Sequence, residues 1–393
     1  MTMHISNSSQ LQTRSKSVAE RCIRPAILAL VLLLALFVKP TWAAGTCTLS
    51  SPSTPINAQT LLAGNITVGP DVPSGTVLYH ARYWSDQSVS LFCNAAGTYY
   101  LSKLYRTTPT RALTNIKSPQ GQPVYATAIS GIGVYVWSST SDFPIPAYAS
   151  FNYTVPTTQT LSAATVGGIG GFVSYDVYLI RTPDPLGGGG VISGSNLPTV
   201  NFNLGPNLSG AGNADYLIGS FTGSVTVVTN TCTTPSNLTV QMGTHLTTEL
   251  KGQGTTTSAW VPVNIPLTNC PAFYGYVGET TDVRSTNNGG PNSSFNIGPN
   301  SILYSVTPSY GVANASAGVM NLAPGGATGI GIQLANASGS TFQFNTSTNS
   351  NLSLTQTAGQ SYNIALDARY YQTGTSITAG AANSTATITL TYN

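Results

Sequence analysis

Short runs in which apolar and polar side chains alternate recur along the chain after residue 43. The clearest are residues 134–137, 173–179, 225–228 and 387–392, which are rich in Val, Tyr, Ile and Thr. Alternation with a period of two places successive side chains on opposite faces of a β-strand, and these residue types favour half-buried strands. Glycine, proline and asparagine interrupt the runs at the spacing of turns. Because no stretch after residue 43 keeps the 3.6-residue period over the length of a helix, the pattern predicts an all-β fold.

The length of the chain predicts two domains. The chain has 393 residues, whereas one domain usually has about 100 to 200. The short polar segment 229–231 separates an alternating run from Cys232 and is the predicted boundary. We therefore expect two immunoglobulin-like or jelly-roll-like β-sandwich domains, at residues 44–228 and 229–393.

The N-terminal segment has the pattern of a secretory signal peptide. A basic stretch precedes the unbroken apolar run Ala26–Val38, and small residues follow it. A run of this length is too short to cross a hydrocarbon core of ~30 Å as a helix. We predict a signal peptide at residues 1–43, with cleavage after Ala43 or, alternatively, after Ala44. The other interpretation is a membrane anchor that stays attached, and the long basic stretch leaves open a start codon downstream of Met1.

The charge balance excludes nucleic acid as a partner. The whole chain has 14 basic and 11 acidic residues and a net charge of +3. Five of the basic residues and one of the acidic residues lie within residues 1–43, so the remainder carries a net charge of −1. Nucleic-acid binding requires a strongly basic surface. Charged residues are only 6% of the chain, against roughly 25% in ordinary soluble domains, and such an uncharged polar surface suits an assembled state.

The cysteines predict two disulfide bonds and no metal site. Cys22 lies in the predicted signal peptide, which leaves four cysteines. An even number in an exported chain is typical of disulfides. Pairing by sequence neighbourhood joins Cys47 to Cys93 and Cys232 to Cys270, one bridge in each predicted domain. No two cysteines have the C-x-x-C spacing, so zinc binding lacks support.

No combination of residues for catalysis stands out. After residue 43 the histidines are His80 and His245, one in each predicted domain, and the G-x-S-x-G and H-E-x-x-H motifs are absent. The alternative is a pair of carboxylates for glycoside hydrolysis among Asp142, Asp176 and Asp184. Acidic residues are sparse, and the glycine-rich stretches do not precede a predicted helix. We therefore expect neither an enzyme nor a cofactor.

The last fourteen residues carry the most specific pattern in the sequence. They run from Gly380 to Asn393 and contain alternating apolar residues up to the penultimate Tyr392. A strand at this position exposes an edge whose backbone groups form a template for another strand. We therefore expect a partner strand to pair with it.

This segment resembles the pilin domain of chaperone–usher fimbrial proteins. That family has a glycine fourteen residues from the end, a penultimate aromatic residue, and alternating apolar residues between them, as this chain has. Leu238, Val240 and Met242 also alternate in the manner of the family's first strand. The resemblance covers roughly residues 232–393.

The resemblance implies an incomplete pilin sandwich that lacks its last strand and has an apolar groove in its place. In the family, a periplasmic pilus chaperone fills the groove transiently. A strand of the next pilus subunit then replaces the chaperone at the outer-membrane usher, a form of strand addition called donor-strand complementation. The residues that the resemblance assigns to the groove and its contacts are Leu238, Val240, Gly380, Ala386, Ile388, Leu390, Tyr392 and Asn393.

The N-terminal half resembles the receptor-binding domains of fimbrial adhesins. Residues 124–134 and 178–194 carry similar strand and turn patterns, and a whole domain takes the place of a pilin's donor strand. This arrangement implies a subunit at the fimbrial tip, exported through the periplasm to the cell surface. The mannose pocket of the type 1 tip adhesin is not supported, because Asn94 is followed by alanine rather than by aspartate.

Aromatic faces with converging polar groups are typical of sugar-binding sites. Trp137 lies opposite the apolar face of its predicted strand, so we expect it to be half exposed. The predicted receptor is a host glycan or protein; packing in the core is the alternative for each aromatic side chain. A structural minor or tip subunit that starts fibre assembly without binding a glycan is the alternative for the whole protein. The candidate ligand-binding residues are Trp84, Asp86, Asn94, Tyr100, Trp137 and Asp184.

Overall fold

The structure is a computed structural model. It describes residues 47–51, 54–85, 90–93, 97–138, 143–144, 147–155, 159–162, 174–205, 214–257, 259–276, 283–285, 298–337 and 339–393.

Strands dominate the described residues. The helical structure in them is limited to two short 3-10 turns, Gly194–Asn196 and Thr247–Glu249. The predicted all-β class is therefore confirmed. The predicted signal peptide lies outside the described part of the chain, and within that part no helix has the length and apolar character to span a membrane.

The strands fall into an N-terminal and a C-terminal group. Those of the N-terminal group are β1 (Cys47–Ser51), β2 (Ile56–Leu62), β3 (Asn65–Thr67), β4 (Val77–Trp84), β5 (Ser90–Cys93), β6 (Gly97–Thr108), β7 (Leu113–Lys117), β8 (Pro123–Ala126), β9 (Ile132–Ser138), β10 (Phe143–Pro144), β11 (Ala147–Val155), β12 (Gln159–Ser162), β13 (Ser174–Arg181), β14 (Gly190–Ser193), β15 (Thr199–Gly205) and β16 (Ala214–Val228). Those of the C-terminal group are β17 (Val261–Cys270), β18 (Val283–Ser285), β19 (Ile302–Pro308), β20 (Val312–Asn314), β21 (Val319–Asn321), β22 (Ile330–Asn336), β23 (Thr348–Asn349), β24 (Gln360–Gln372) and β25 (Ala386–Tyr392).

Two large sheets enclose the core of the N-terminal part. One has the strand order β18-β4-β13-β9-β8-β7, and the other has the order β11-β6-β15-β16-β14, with β2 and β3 parallel to β16. Tyr175 of β13 contacts Phe202 and Phe221 of the opposite sheet edge-on, with ring centroids 6.2 and 5.9 Å apart. All three rings are buried, and burial of such large aromatic surfaces is the main driving force for this packing.

The two parts of the chain meet at β16 and β18. The strand β16 ends at Val228, where the predicted polar boundary begins. The short strand β18, which follows β17 in sequence, pairs in parallel with β4 of the N-terminal part. A segment of the C-terminal half therefore forms an edge strand of an N-terminal sheet, and the exact boundary stays a prediction.

The C-terminal part is a second sandwich. A five-stranded sheet with the order β17-β24-β22-β21-β20 faces a three-stranded sheet with the order β23-β19-β25. Their apolar side chains form one core, in which Tyr304 stacks on Phe342 with ring centroids 5.9 Å apart. Cys232 and Cys270 form a disulfide beside this core, which confirms that predicted pair.

The other predicted disulfide involves two cysteines in neighbouring strands. Cys47 of β1 lies directly opposite Cys93 of β5 in the antiparallel register. Directly opposite positions bring Cα atoms within about 4.5–5.5 Å, which is the separation that a disulfide requires. The bond between Cys47 and Cys93 stays a prediction that this register supports.

The predicted first strand of the C-terminal part is wrong. Leu238, Val240 and Met242 alternate in sequence, yet residues 237–246 form no strand. Alternation determines which side chains face the core, and Val240 and Met242 do pack half-buried against it, whereas Leu238 is 43% exposed. A strand also needs backbone partners, and no described strand pairs with this segment.

Candidate functional site

A row of polar and aromatic side chains crosses the sheet that contains β4, β13 and β9, on the face that points away from the core around Tyr175. Asp176 of β13 lies opposite Arg82 of β4 on one side and opposite Trp137 of β9 on the other. The Asp176 carboxylate is buried, and it accepts a hydrogen bond from Arg82 Nε at 2.6 Å. His80 Nε2 lies 2.8 Å from the same carboxylate oxygen. The negative charge of Asp176 is therefore neutralised inside the protein.

A row of stacked rings lies beside this polar row. Tyr135 stacks on Tyr178 with ring centroids 4.8 Å apart, and Tyr178 stacks on His80 at 4.2 Å. The interplanar angles are 10° and 4°, so the three rings are nearly parallel. His80 joins the two rows, because it both stacks on Tyr178 and contacts Asp176.

Trp137, one of the candidate ligand-binding residues, lies opposite Asp176 on this face. Trp137 is half-buried at the end of the polar row, as its position in the alternation predicted. Trp84 is the last residue of β4 and Tyr100 lies in β6 of the other sheet. Asp86 and Asn94 lie outside the described residues. The structure therefore does not bring the six candidates into one described site.

Asp184 lies at the opposite end of the sheet from Trp137. Trp137 pairs with Asp176 of β13. The strand continues for five residues to Arg181, and Asp184 lies beyond its end. At about 3.3 Å per residue, the two ends are roughly 17 Å apart. A single small ligand would not contact both residues.

The loop that contains Asp184 is held by Arg181. The buried Arg181 guanidinium donates to the carbonyl oxygens of Gly131 at 3.1 Å and Asp184 at 2.8 Å. Burial lowers the pKa of Arg181, and the Asp184 carboxylate partly offsets this effect. Asp184 itself is exposed and accepts a hydrogen bond from Thr182 Oγ1 at 3.0 Å. These contacts give Asp184 a structural partner within its own loop.

Sequence reasoning missed the role of Asp176, which it considered as a catalytic carboxylate. The Asp176 carboxylate is instead buried and contacted by Arg82 and His80. Asp142 lies outside the described residues, and no group of three or more His, Cys, Asp or Glu side chains in the described residues is arranged to hold a metal ion. The spacing of two residues between His80 and Arg82 was the available signal, because it places both side chains on one face of β4.

The second candidate site is the strand β25. Within the described chain it pairs with β19 alone. Ala386, Ile388 and Leu390 are half-buried against the core of the C-terminal sandwich, and Tyr392 is buried. One edge of β25 is therefore unpaired within the described chain. The apolar side chains beside this edge are only partly covered by the core.

Two further predicted groove residues, Gly380 and Asn393, make backbone contacts at either end of β25. A Cβ atom on Gly380 would lie 2.7 Å from the backbone nitrogen of Ala327. Asn393 and Ser301 exchange two backbone hydrogen bonds, of 3.0 and 2.9 Å. Of the remaining two, Val240 packs against the same core, and Leu238 does not.

Comparison with protein families gives one match, which covers the C-terminal part. Residues 220–393 match the family described as "Fimbrial protein". This range includes β25 and its open edge, and begins before the predicted domain boundary at residue 229. No curated protein sequence matches the chain.

Several solved structures are similar to this chain at low sequence identity. The CupB6 tip adhesin from Pseudomonas aeruginosa is 17% identical, with 88% of this chain and 94% of that chain covered and a TM-score of 0.32. The receptor binding domain of the plasmid-born adhesin MrkD1P of Klebsiella pneumoniae is 18% identical, with 48% and 98% covered and a TM-score of 0.31. The CsuC–CsuE chaperone–tip adhesion subunit complex of Acinetobacter baumannii gives 13% identity, 88% and 99% coverage and a TM-score of 0.23.

The family match agrees with the two main conclusions from the sequence. A fimbrial protein is a component of a surface fibre and not an enzyme, which matches the expected lack of catalysis. The pilin-like character of the C-terminal half is confirmed at the level of the family. Residues 220–393 of this chain are therefore similar to the fimbrial protein family.

Proposed function

We propose that this protein is the tip adhesin of a chaperone–usher fimbria. Segment 1–43 directs its export, residues 44–228 bind a host receptor, and residues 229–393 attach to the next pilus subunit by donor-strand complementation. The observation that carries the proposal is the edge of β25, which lacks a second ladder partner in the described chain and lies in a fimbrial-protein domain.

Strand addition at this edge would stabilise both the unpaired backbone groups and the partly buried side chains of β25. The N–H and C=O groups on the open edge gain hydrogen bonds, and the half-buried side chains of Ala386, Ile388 and Leu390 gain apolar neighbours. Because a shift by one residue would turn every apolar side chain of the added strand away from the core, this contact also determines its register. A periplasmic chaperone, the outer-membrane usher and the next subunit are the partners that would supply or exchange the added strand.

The N-terminal part carries the receptor site in this proposal. Trp137 presents an aromatic surface at the end of a polar row, and Arg82 is 22% exposed beside the neutralised Asp176. An aromatic face with a nearby hydrogen-bond donor is suited to binding a sugar. A glycan is therefore the receptor class that we propose, and a protein receptor is the other outcome of the test.

One observation favours the structural alternative, a minor or tip subunit that binds no glycan. Tyr135 and His80, which form the stacked row with Tyr178, are 0% and 2% exposed. Rings with so little exposed surface stabilise the sheet rather than contact a ligand. Among the described side chains of this face, Trp137, Arg82 and Tyr178 keep partial exposure.

Unfolding of the full chain by urea tests the strand addition. A synthetic peptide of alternating valine and threonine, at about 100 times its Kd, should stabilise the chain by about 2.7 kcal/mol. Ile388→Glu should abolish this gain, because it places a charge on the half-buried side of β25. Thr389→Glu is the matched control, because Thr389 is exposed, and should preserve it. Equal gains in both variants, or no gain in the unmodified chain, would contradict the proposal.

A glycan array probed with the full chain tests the receptor function. Specific binding to one class of sugar, lost in Trp137→Ala, is the expected result. Trp260→Ala is the matched control, because Trp260 is also half-buried but contacts Arg369 in the C-terminal part, 4.0 Å from its ring centroid. No binding by the folded protein would favour a protein receptor or the structural role.

A further inference from the structure

The backbone groups of β25 point alternately to its two edges. Asn393 exchanges two hydrogen bonds with Ser301, so the N–H and C=O of Asn393 point toward β19. In an antiparallel pair, every second residue points the same way. The backbone groups of Tyr392, Leu390 and Ile388 therefore point to the opposite, open edge.

At Tyr392 this open edge is covered by the N-terminal part. The Tyr392 N–H donates to Asp71 Oδ2 at 2.9 Å. Gly69 lies against the Tyr392 carbonyl group so closely that a Cβ atom on Gly69 would lie 1.9 Å from its oxygen. Both polar groups that Tyr392 directs to the edge are therefore in contact with one turn, Gly69–Asp71, which follows β3.

This turn is held in place by the hydrogen bonds of Thr67, which precedes it. Thr67 is buried, and its Oγ1 donates to the carbonyl oxygen of Ala272 at 2.8 Å and accepts from the Tyr274 N–H at 2.9 Å. The Thr67 N–H donates to the carbonyl oxygen of Gly275 at 2.8 Å, and its own carbonyl oxygen accepts from Asn300 Nδ2 at 2.9 Å. All four partners belong to the C-terminal part. The turn is therefore anchored at Thr67, two residues before Gly69.

Toward the start of β25 the edge has a different character. Within the described chain no strand pairs with the backbone groups that Ile388 and Leu390 direct outward. The open edge thus runs from Ala386 to Leu390 and is closed at Tyr392. The residues that close the edge belong to the N-terminal part and not to the C-terminal sandwich itself.

We infer that the turn Gly69–Asp71 is a stop that sets where an added strand ends on β25. A strand that pairs with Ala386–Leu390 leaves the contact between the two parts intact. A strand that extends to Tyr392 must displace Asp71 from the Tyr392 N–H and Gly69 from its carbonyl group. The receptor-binding part thereby limits the length and register of the pilus strand, so strand extension and docking of the N-terminal part exclude each other. This inference rests on the strand addition proposed above.

Binding of a nested series of peptides to the full chain tests the stop. The probes are alternating valine–threonine peptides of increasing length with lysine at both ends. In the unmodified chain, affinity should rise with length and then level off when the peptide passes Leu390. In Gly69→Val, whose Cβ forces the turn away from Tyr392, affinity should continue to rise, by roughly tenfold for the two additional backbone hydrogen bonds.

Two further variants keep this test decisive. Gly188→Val is the matched control, because a Cβ there meets no atom within 4 Å. Its affinity for the peptides should level off at the same peptide length as that of the unmodified chain. Asp71→Ala is the milder variant if Gly69→Val does not fold, and it should make the Tyr392 amide exchange with solvent faster while leaving the Asn393 amide protected.

The outcomes separate the stop from strand addition itself. If peptides bind and the unmodified chain, Gly69→Val and Asp71→Ala all show the same length dependence, the stop is wrong and strand addition stands. If no peptide of any length binds any of the proteins, strand addition is wrong and the stop falls with it. An unchanged exchange rate of the Tyr392 amide in Asp71→Ala would also overturn the stop.

Discussion

A Cβ atom on Gly380 would lie 2.7 Å from the backbone nitrogen of Ala327. That nitrogen donates to the carbonyl oxygen of Ala381 at 2.9 Å, so two backbone segments lie directly against each other just before β25 begins. The φ of Gly380 is not in the left-handed region. The glycine is therefore needed because the two backbones approach closely, and not for its backbone conformation. The glycine that marks the resemblance to pilins thus has a packing reason in this chain.

Gly380→Val should lower the free energy of unfolding of the C-terminal part by about 1–3 kcal/mol, because the new side chain meets backbone atoms that have little room to move. Urea unfolding measures the change. Gly188→Val, which introduces the same side chain into open space, should stay within about 0.5 kcal/mol of the unmodified protein. A free energy of unfolding of Gly380→Val equal to that of the unmodified protein would show that the contact is absent.

Asp176→Asn should destabilise the N-terminal part strongly. Asp176 is buried, is ion-paired with Arg82 and lies 2.8 Å from His80 Nε2. Removing its charge leaves the Arg82 guanidinium without this carboxylate. Breaking a buried pair in this way costs about 3–5 kcal/mol. Thermal unfolding of the full chain should show the loss, whereas the control Asp184→Asn, at an exposed carboxylate, should have a small effect. A small effect of both substitutions would mean that the Asp176 cluster does not stabilise the sheet.

The register of β1 and β5 predicts that Cys47 and Cys93 are joined. Alkylation of the unfolded, unreduced protein followed by mass spectrometry should label neither residue. Cys232 and Cys270, which are bonded in the structure, serve as the internal standard and should also stay unlabelled. After reduction all four should be labelled. Labelling of Cys47 and Cys93 before reduction would disprove this bridge.

The contact between His245 and Glu249 should make the segment before β17 sensitive to pH. His245 Nδ1 lies 3.0 Å from the Glu249 carboxylate, and this hydrogen bond raises the pKa of His245 and lowers the pKa of Glu249. A raised histidine pKa stabilises the folded state below about pH 6.5. That contribution is lost as the pH rises through the folded-state pKa.

Amide exchange of Leu246, whose N–H donates to Glu249 Oε1 at 2.9 Å, should therefore become faster relative to a reference amide between about pH 6 and pH 8. His245→Gln should abolish this pH dependence. Glu249→Gln should return the pKa of His245 toward its ordinary value, as measured by NMR titration. A pKa of His245 that is the same in Glu249→Gln would contradict the assignment.

Local alternation predicted much of the strand content. The runs at 134–137, 173–179, 225–228 and 387–392 all lie in or overlap strands. The same pattern failed at Leu238–Met242, which has the alternation but no ladder partner. The reason is that alternation reports which side chains face the core, whereas a strand also requires a neighbouring backbone.

The candidate site in the N-terminal part shows the same limit. The position of Trp137 opposite an apolar face was enough to predict its partial exposure. The spacing of His80 and Arg82 indicated that both lie on one face of β4, but not that they enclose Asp176. Arg82 and Asp176 are 94 positions apart in sequence and meet only through the pairing of β4 with β13. Asp184 and Trp137, in contrast, lie at opposite ends of one sheet.

The sequence by itself determined the all-β class, the Cys232–Cys270 pair and the alternating strand at residues 386–392, because each depends on spacing along a short stretch of chain. The tertiary structure alone decided that Asp71 contacts the Tyr392 N–H, 321 positions away, and that Gly69 lies against the Tyr392 carbonyl group. Contacts over such separations depend on how whole sheets and domains pack together, and spacing along the chain carries no record of that packing.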